Sequence, residues 1–80
     1  MKLTPIKTNM TELELSNGVR VLFSYQTPVA IQNDSGYMRT SKSWSKTTSR
    51  HINQWIGGQD AKQMPQEFFD GLVKHHFQAV

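Results

Sequence analysis

Between Thr11 and Tyr25, apolar and polar residues alternate on both sides of Ser16-Asn17-Gly18, and this arrangement leaves the chain little choice of local structure. Leu13 and Leu15 alternate with Glu12 and Glu14. Beyond the turn, Val19, Val21, Phe23 and Tyr25 share one face, with Arg20 and Ser24 on the other. A period of two places successive side chains on opposite faces of a strand, and Asn-Gly accepts the positive φ of a tight turn. The segment therefore reads as a β-hairpin. Leu22 falls on the nominally polar face, which predicts that this face is partly covered or lies at a contact.

The remaining pattern follows the same logic. Residues 1–10 carry Leu3, Pro5, Ile6 and Met10 without a clear period and fit either an extended lead-in or an edge strand. Thr27-Pro28 interrupts the ladder because proline cannot donate to it, and Val29-Ala30-Ile31 resumes an extended run. Asn33-Asp34-Ser35-Gly36 forms a second turn, with a returning strand from Tyr37 to Thr40 that can extend as far as Trp44. Ile52, Trp55 and Ile56 then recur at spacings of three and four, predicting a helix over 48–56. Thr47 or Thr48 would be its N-cap, and Gly57 its left-handed stop. Residues 59–64 read as a loop or short strand. Pro65 and Glu67 open a last helix over 66–76, with Phe68, Phe69, Leu72, Val73 and His76 along one stripe. The glycine at position 71 costs that helix about 1 kcal/mol relative to alanine, so packing must hold it. The expected fold is a single α+β domain spanning 1–80, a small antiparallel sheet of three to five strands followed by two short helices packed on one face.

A chain of 80 residues with 36% apolar content folds around a small core, which by itself supplies about 3–5 kcal/mol. Self-association as a homodimer is therefore expected. The absence of cysteine excludes disulfides and thiolate metal sites. No apolar run approaches the roughly 20 residues of a membrane span. MKLTPIKTNM lacks the apolar segment of a signal peptide, so a cytoplasmic protein with no membrane partner is expected. The net charge of +3 is modest, but its distribution is uneven. Arg39, Lys42, Lys46 and Arg50 lie between Asp34 and Asp60, an interval without any acid. An acidic partner, either a protein surface or a nucleic acid, complements such a region.

Catalytic patterns are sparse. His75 and His76 are adjacent on a helix, about 100° apart around its axis, and cannot jointly ligate one ion as an i, i+4 pair can. His51 reads as a hydrogen-bonded helix residue at the sheet boundary, because no nucleophile with an orienting third group is evident. Gly57-Gly58 precedes no Lys-Ser/Thr pair and is a helix stop, and no serine lies in a G-x-S-x-G elbow. Neither an enzyme nor a metal or other cofactor is expected. Tyr25 and Trp55 match the apolar period of their elements and are expected in the core. Tyr37, Arg39, Lys42, Trp44, Lys46, Arg50 and Asn53 form the candidate partner-binding set, since arginine and aromatic anchors are enriched at interface hot spots. Trp44, flanked by Ser43 and Ser45, is either a seal between helix and sheet or an exposed anchor. Arg50, Asn53 and Gln54 could read base edges, but no preceding helix completes a helix-turn-helix.

Three stretches, Leu22-Phe23-Ser24-Tyr25, Thr27-Pro28-Val29-Ala30 and Thr48-Ser49-Arg50-His51-Ile52-Asn53, carry a resemblance that spans about Leu13 to Leu72. The chain resembles a family of short proteins encoded by bacteriophages and sometimes by their hosts, a domain of unknown function. By size and general look it is also similar to a phage protein that overcomes the bacterial BREX defence by binding a BREX ATPase component. The resemblance implies a non-enzymatic inhibitor of a host defence protein acting in the host cytoplasm. A small nucleic-acid-binding accessory protein is the alternative.

Overall fold

The computed structural model describes residues 2–78, with side chains described through residue 74. Six strands come in sheet order β1 to β6: β1 (Lys2–Lys7), β2 (Met10–Glu14), β3 (Arg20–Ser24), β4 (Thr27–Asn33), β5 (Gly36–Thr40) and β6 (Ala61–Met64). Helix α1 (Lys46–Ile56) lies between β5 and β6, and α2 (Gln66–Gln78) follows β6. The first five strands pair antiparallel, whereas β6 runs parallel to β5 with Tyr37 opposite Ala61 and Thr40 opposite Met64. A parallel neighbour requires a crossover, and α1 is that crossover. The fold is α+β with a mixed sheet, one strand richer than the upper limit expected from sequence.

The predicted hairpin forms with Leu13 opposite Val21 and Glu12 opposite Leu22. Its turn is held by Gly18 at φ 87 and by Asn17 Oδ1, which accepts the Val19 N–H at 3.1 Å. The second turn uses Asn33 Oδ1 in the same way, accepting the Ser35 N–H at 2.9 Å. Residues 2–7, left between lead-in and strand by their sequence, form the edge strand β1. Pro28 is tolerated inside β4 because a bulge there sets Phe23 opposite Pro28 and Leu22 opposite Ala30, leaving Val29 as the extra residue. β5 pairs with β4 only over Ala30–Asn33, short of the proline, and it stops at Thr40 instead of running on toward Trp44.

The two helices occupy opposite faces of the sheet, not one. Met10, Leu22, Val29 and Ala30 form one buried cluster with Ile52 and Ile56 of α1. Leu13, Leu15, Val21 and Ile31 form a second with Phe69 of α2, flanked by Phe68, Leu72 and Val73. The strand period explains the division: Leu22 and Val21 are neighbours in β3 and point opposite ways, and both are buried. A sheet apolar on both faces needs a cover on each. Leu22, fully buried beneath α1, therefore accounts for the apolar residue on the supposed polar face.

Of the two caps of α1, the C-terminal one matches the expectation and the N-terminal one differs. Ser45, not Thr47 or Thr48, is the N-cap, and its hydroxyl accepts the Thr48 N–H at 3.2 Å. Gly57 ends the helix at φ 68 as expected, donating its N–H to the Asn53 carbonyl. The stripe position of His76 and the paired His75 and His76 lie outside the residues whose side chains are described.

Candidate functional site

Strand β3 ends by presenting Ser24 to the α1 face, and the first two turns of α1 present Thr48 and His51 to the same point. Ser24 Oγ lies 2.9 Å from Thr48 Oγ1 and 2.8 Å from His51 Nδ1. The Ser45 hydroxyl donates to Thr48 Oγ1 at 3.3 Å, extending the chain of contacts to the helix cap. Ser24, Thr48 and His51 are all buried, so each needs these partners. Burial first, and the positive charge of Lys7 second, hold the His51 imidazole below its ordinary value of 6.5. Both effects favour the neutral ring. The pair of serine hydroxyl and neutral imidazole has the spacing of a nucleophile and its base, yet no carboxylate hydrogen-bonds to His51 among the described residues.

Above this network lies a cleft of about 240 Å³ lined by Ser24, Tyr25, Thr27, Val29, Trp44, Ser45 and Thr48. Tyr25 stands at its mouth in the turn between β3 and β4, half exposed and with φ 59. A bulky side chain rarely adopts that conformation, and the Tyr25 N–H bond to the Asn9 carbonyl at 2.7 Å helps to impose it. The expectation that Tyr25 joins the core fails for this reason: the strand has already ended, and the turn carries the ring outward. Trp55 does pack beside the α1-side core, and its indole N–H donates to Glu12 Oε1 at 2.9 Å.

The candidate partner-binding residues divide. Lys46, Arg50 and Asn53 are exposed and follow one another at spacings of four and three, a single stripe on the outer surface of α1. Arg39 on β5 joins them, donating from Nη1 to Asn53 Oδ1 at 3.0 Å, while its Nε is buried without a hydrogen-bond partner among the described residues. Lys42 Nζ stands 4.3 Å from the centre of the Trp44 ring, within cation–π range. Trp44 is 37% exposed, and its indole N–H reaches Gln66 Oε1 at 3.1 Å. It is thus both a link between the β5–α1 loop and α2 and a wall of the cleft. Tyr37 serves the interior: its ring meets Trp55 edge to face at 5.7 Å, beside the α1-side core. Ser24, Ser45 and Thr48 lie outside the set that the sequence marks as a candidate site, and Tyr25 lies outside it as an expected core residue. One signal was present, since extending the Ile52–Ile56 stripe back one turn reaches Thr48, and from Trp55 reaches His51.

Among the described residues no group of three or more His, Cys, Asp or Glu side chains could hold a metal ion. Among those residues no helix is long and apolar enough to cross a membrane. These features define a small α+β protein whose six-stranded mixed sheet carries one helix on each face, with a cationic helix surface beside a hydroxyl-lined cleft. The chain belongs to a family of unknown function, DUF8033, whose model matches residues 1–71. No curated protein and no solved structure matches it.

Proposed function

We propose that this protein is a non-enzymatic binder that occupies an acidic surface of another protein through the outer face of α1. The observation that carries the reading is where the cations sit. Helix α1 has no acid in its first turn and no base in its last, and Lys46 lies at the positive end of the helix dipole. That placement opposes helix stability by a few tenths of a kcal/mol to about 1 kcal/mol. A charge that works against its own helix is better explained by a partner than by folding. Arg50 continues the stripe, Arg39 reaches it through its bond to Asn53, and Lys42 lies over Trp44 in the loop that leads into the helix.

The target class rests on the resemblance to short phage-encoded proteins: a bacterial defence protein met in the host cytoplasm, with a BREX ATPase component as the first to test. The test compares the wild type with a Lys46→Glu/Arg50→Glu variant, both exposed positions, for complex formation with that purified ATPase at 0.15 M salt. Wild-type binding that the variant loses, with unchanged circular dichroism, supports the reading. Equal binding by both would place the interface elsewhere. Failure to bind the ATPase together with salt-sensitive binding to duplex DNA would favour the nucleic-acid alternative.

A further inference from the structure

We infer that the cleft between Tyr25 and Trp44 receives the phenol ring of a tyrosine, presented by an acidic segment of the partner that the α1 face recognises. This deepens the reading above and rests on it for the acidic character of the segment. The ring itself follows from the cleft.

The buried hydroxyls fix what the occupant must supply. The Ser45 hydroxyl donates to Thr48 Oγ1. If the Thr48 proton then goes to Ser24 Oγ, and the Ser24 proton to His51 Nδ1, every hydroxyl proton of the chain has an acceptor. The reverse direction would make Thr48 Oγ1 accept twice and leave its own proton without a partner. The head-to-tail order is favoured because buried donors are satisfied and aligned hydrogen bonds polarise one another. It goes with the Nε2–H tautomer of a neutral His51, in which Nδ1 accepts. In this order the protons of Ser24 and Thr48 are both directed into the protein, and each oxygen keeps one lone pair. The floor of the cleft can therefore accept hydrogen bonds but not donate them, so an occupant that bonds to it does so as the donor.

Size, shape and charge restrict the donor further. A volume of about 240 Å³ falls short of the roughly 300–1,000 Å³ of drug-sized sites, which limits the occupant to about one ring. Trp44 and Tyr25 offer flat apolar walls suited to an aromatic ring. No ionisable carboxylate or cationic side chain lines the cleft, while Lys42 lies over Trp44 and Lys46 follows Ser45. Lysine and arginine donors carry the wrong charge for that rim, and serine and threonine lack a ring. Indole is larger and bears its N–H on its flank, so it does not reach the floor end-on. A phenol is neutral, planar, and donates from its tip. Acidic neighbours of that tyrosine would meet Lys42, Lys46 and Arg50.

The neutral probe p-cresol reads the cleft alone, with 4-methylanisole as the same ring lacking a donor. Titrations followed at the Trp44 indole N–H by NMR should show saturable p-cresol binding, about fivefold tighter than 4-methylanisole, the effect of one neutral hydrogen bond. Ser24→Ala/Thr48→Val, which removes both acceptors of the floor, should erase that preference. Tyr25→Gly, which fits the positive φ and should remain folded, should weaken both probes. Equal affinity for the two probes in the wild type, or no response at Trp44, overturns the assignment. The peptide acetyl-Glu-Glu-Tyr-Glu-Glu-amide should bind more tightly than p-cresol and more tightly than its phenylalanine counterpart. The Lys46→Glu/Arg50→Glu variant should lose the gain over p-cresol while binding p-cresol as before, which separates failure of the charged face from failure of the cleft. A peptide no tighter than p-cresol refutes the acidic partner. Displacement of p-cresol by oligothymidylate, with no displacement by the peptide, refutes the tyrosine in favour of a base.

Discussion

His51 is 3% exposed with Nδ1 committed to Ser24, a position in which an added proton is costly. Its folded pKa lies below 6.5, depressed by burial and then by Lys7. Between that depressed value and 6.5 the unfolded chain holds more protons than the folded one. The stabilisation from neutral His51 is therefore fully present above pH 6.5 and is lost as the pH falls through the folded pKa. Thermal unfolding between pH 7.5 and 5 should show a loss of stability that is smaller in His51→Gln; identical pH profiles would exclude the buried imidazole as its source. Ser24 shows why residue-scale chemistry was hard to read in advance. Serine on the supposed solvent face of β3 looks ordinary, and only the arrival of α1 over that face turns it into the centre of a network.

At the scale of the element, the two helices are built on different principles. α1 is specified locally, by a serine cap, an apolar stripe and a left-handed glycine stop. α2 carries Gly71 in its interior, and it is held by Phe69, which is completely buried, with Phe68, Leu72 and Val73 around it. Gln66 ties the start of α2 to β4, donating to the Pro28 carbonyl at 2.7 Å. Gly71 is exposed, and a Cβ added there meets nothing within 4 Å. Gly71→Ala should therefore stabilise the protein by about 0.5–1 kcal/mol, through helix propensity and a less disordered unfolded chain. Urea titration checks this, and a destabilised variant would mean that α2 needs the glycine for a contact. The misplaced N-cap of α1 has a simple cause: Ser45, Thr47 and Thr48 are all chemically competent, and spacing alone does not rank them.

Among the described residues the sheet ends in two edge strands, β1 and β6, and β1 is the more exposed. β1 is exposed along its length and has no neighbour beyond it in the sheet, with Leu3 64% and Ile6 42% exposed. Leu3, Thr11, Phe23, Tyr25 and Gln26 border a shallow depression beside this edge. An exposed edge strand with apolar side chains invites pairing with another chain, and we expect a homodimer formed through it. Light scattering at tens of micromolar should give twice the 9.2 kDa chain mass, and Ile6→Lys should return it to the monomer. The monomer mass for the wild type would refute the expectation. The sequence by itself determined the hairpins that turn at Asn17-Gly18 and at Asn33 to Gly36 and the approximate extent of both helices, because periodicity, turn chemistry and glycine stops act within a few residues. The basic residues of α1 were equally legible, since helix spacing alone aligns Lys46, Arg50 and Asn53. Only the tertiary structure decided that β6 joins β5 in parallel, that the helices take opposite faces, that Tyr37 faces inward, and that Ser24 meets Thr48 and His51. Each of those outcomes depends on surfaces distant in the chain competing to be covered, and no local pattern records which of them wins.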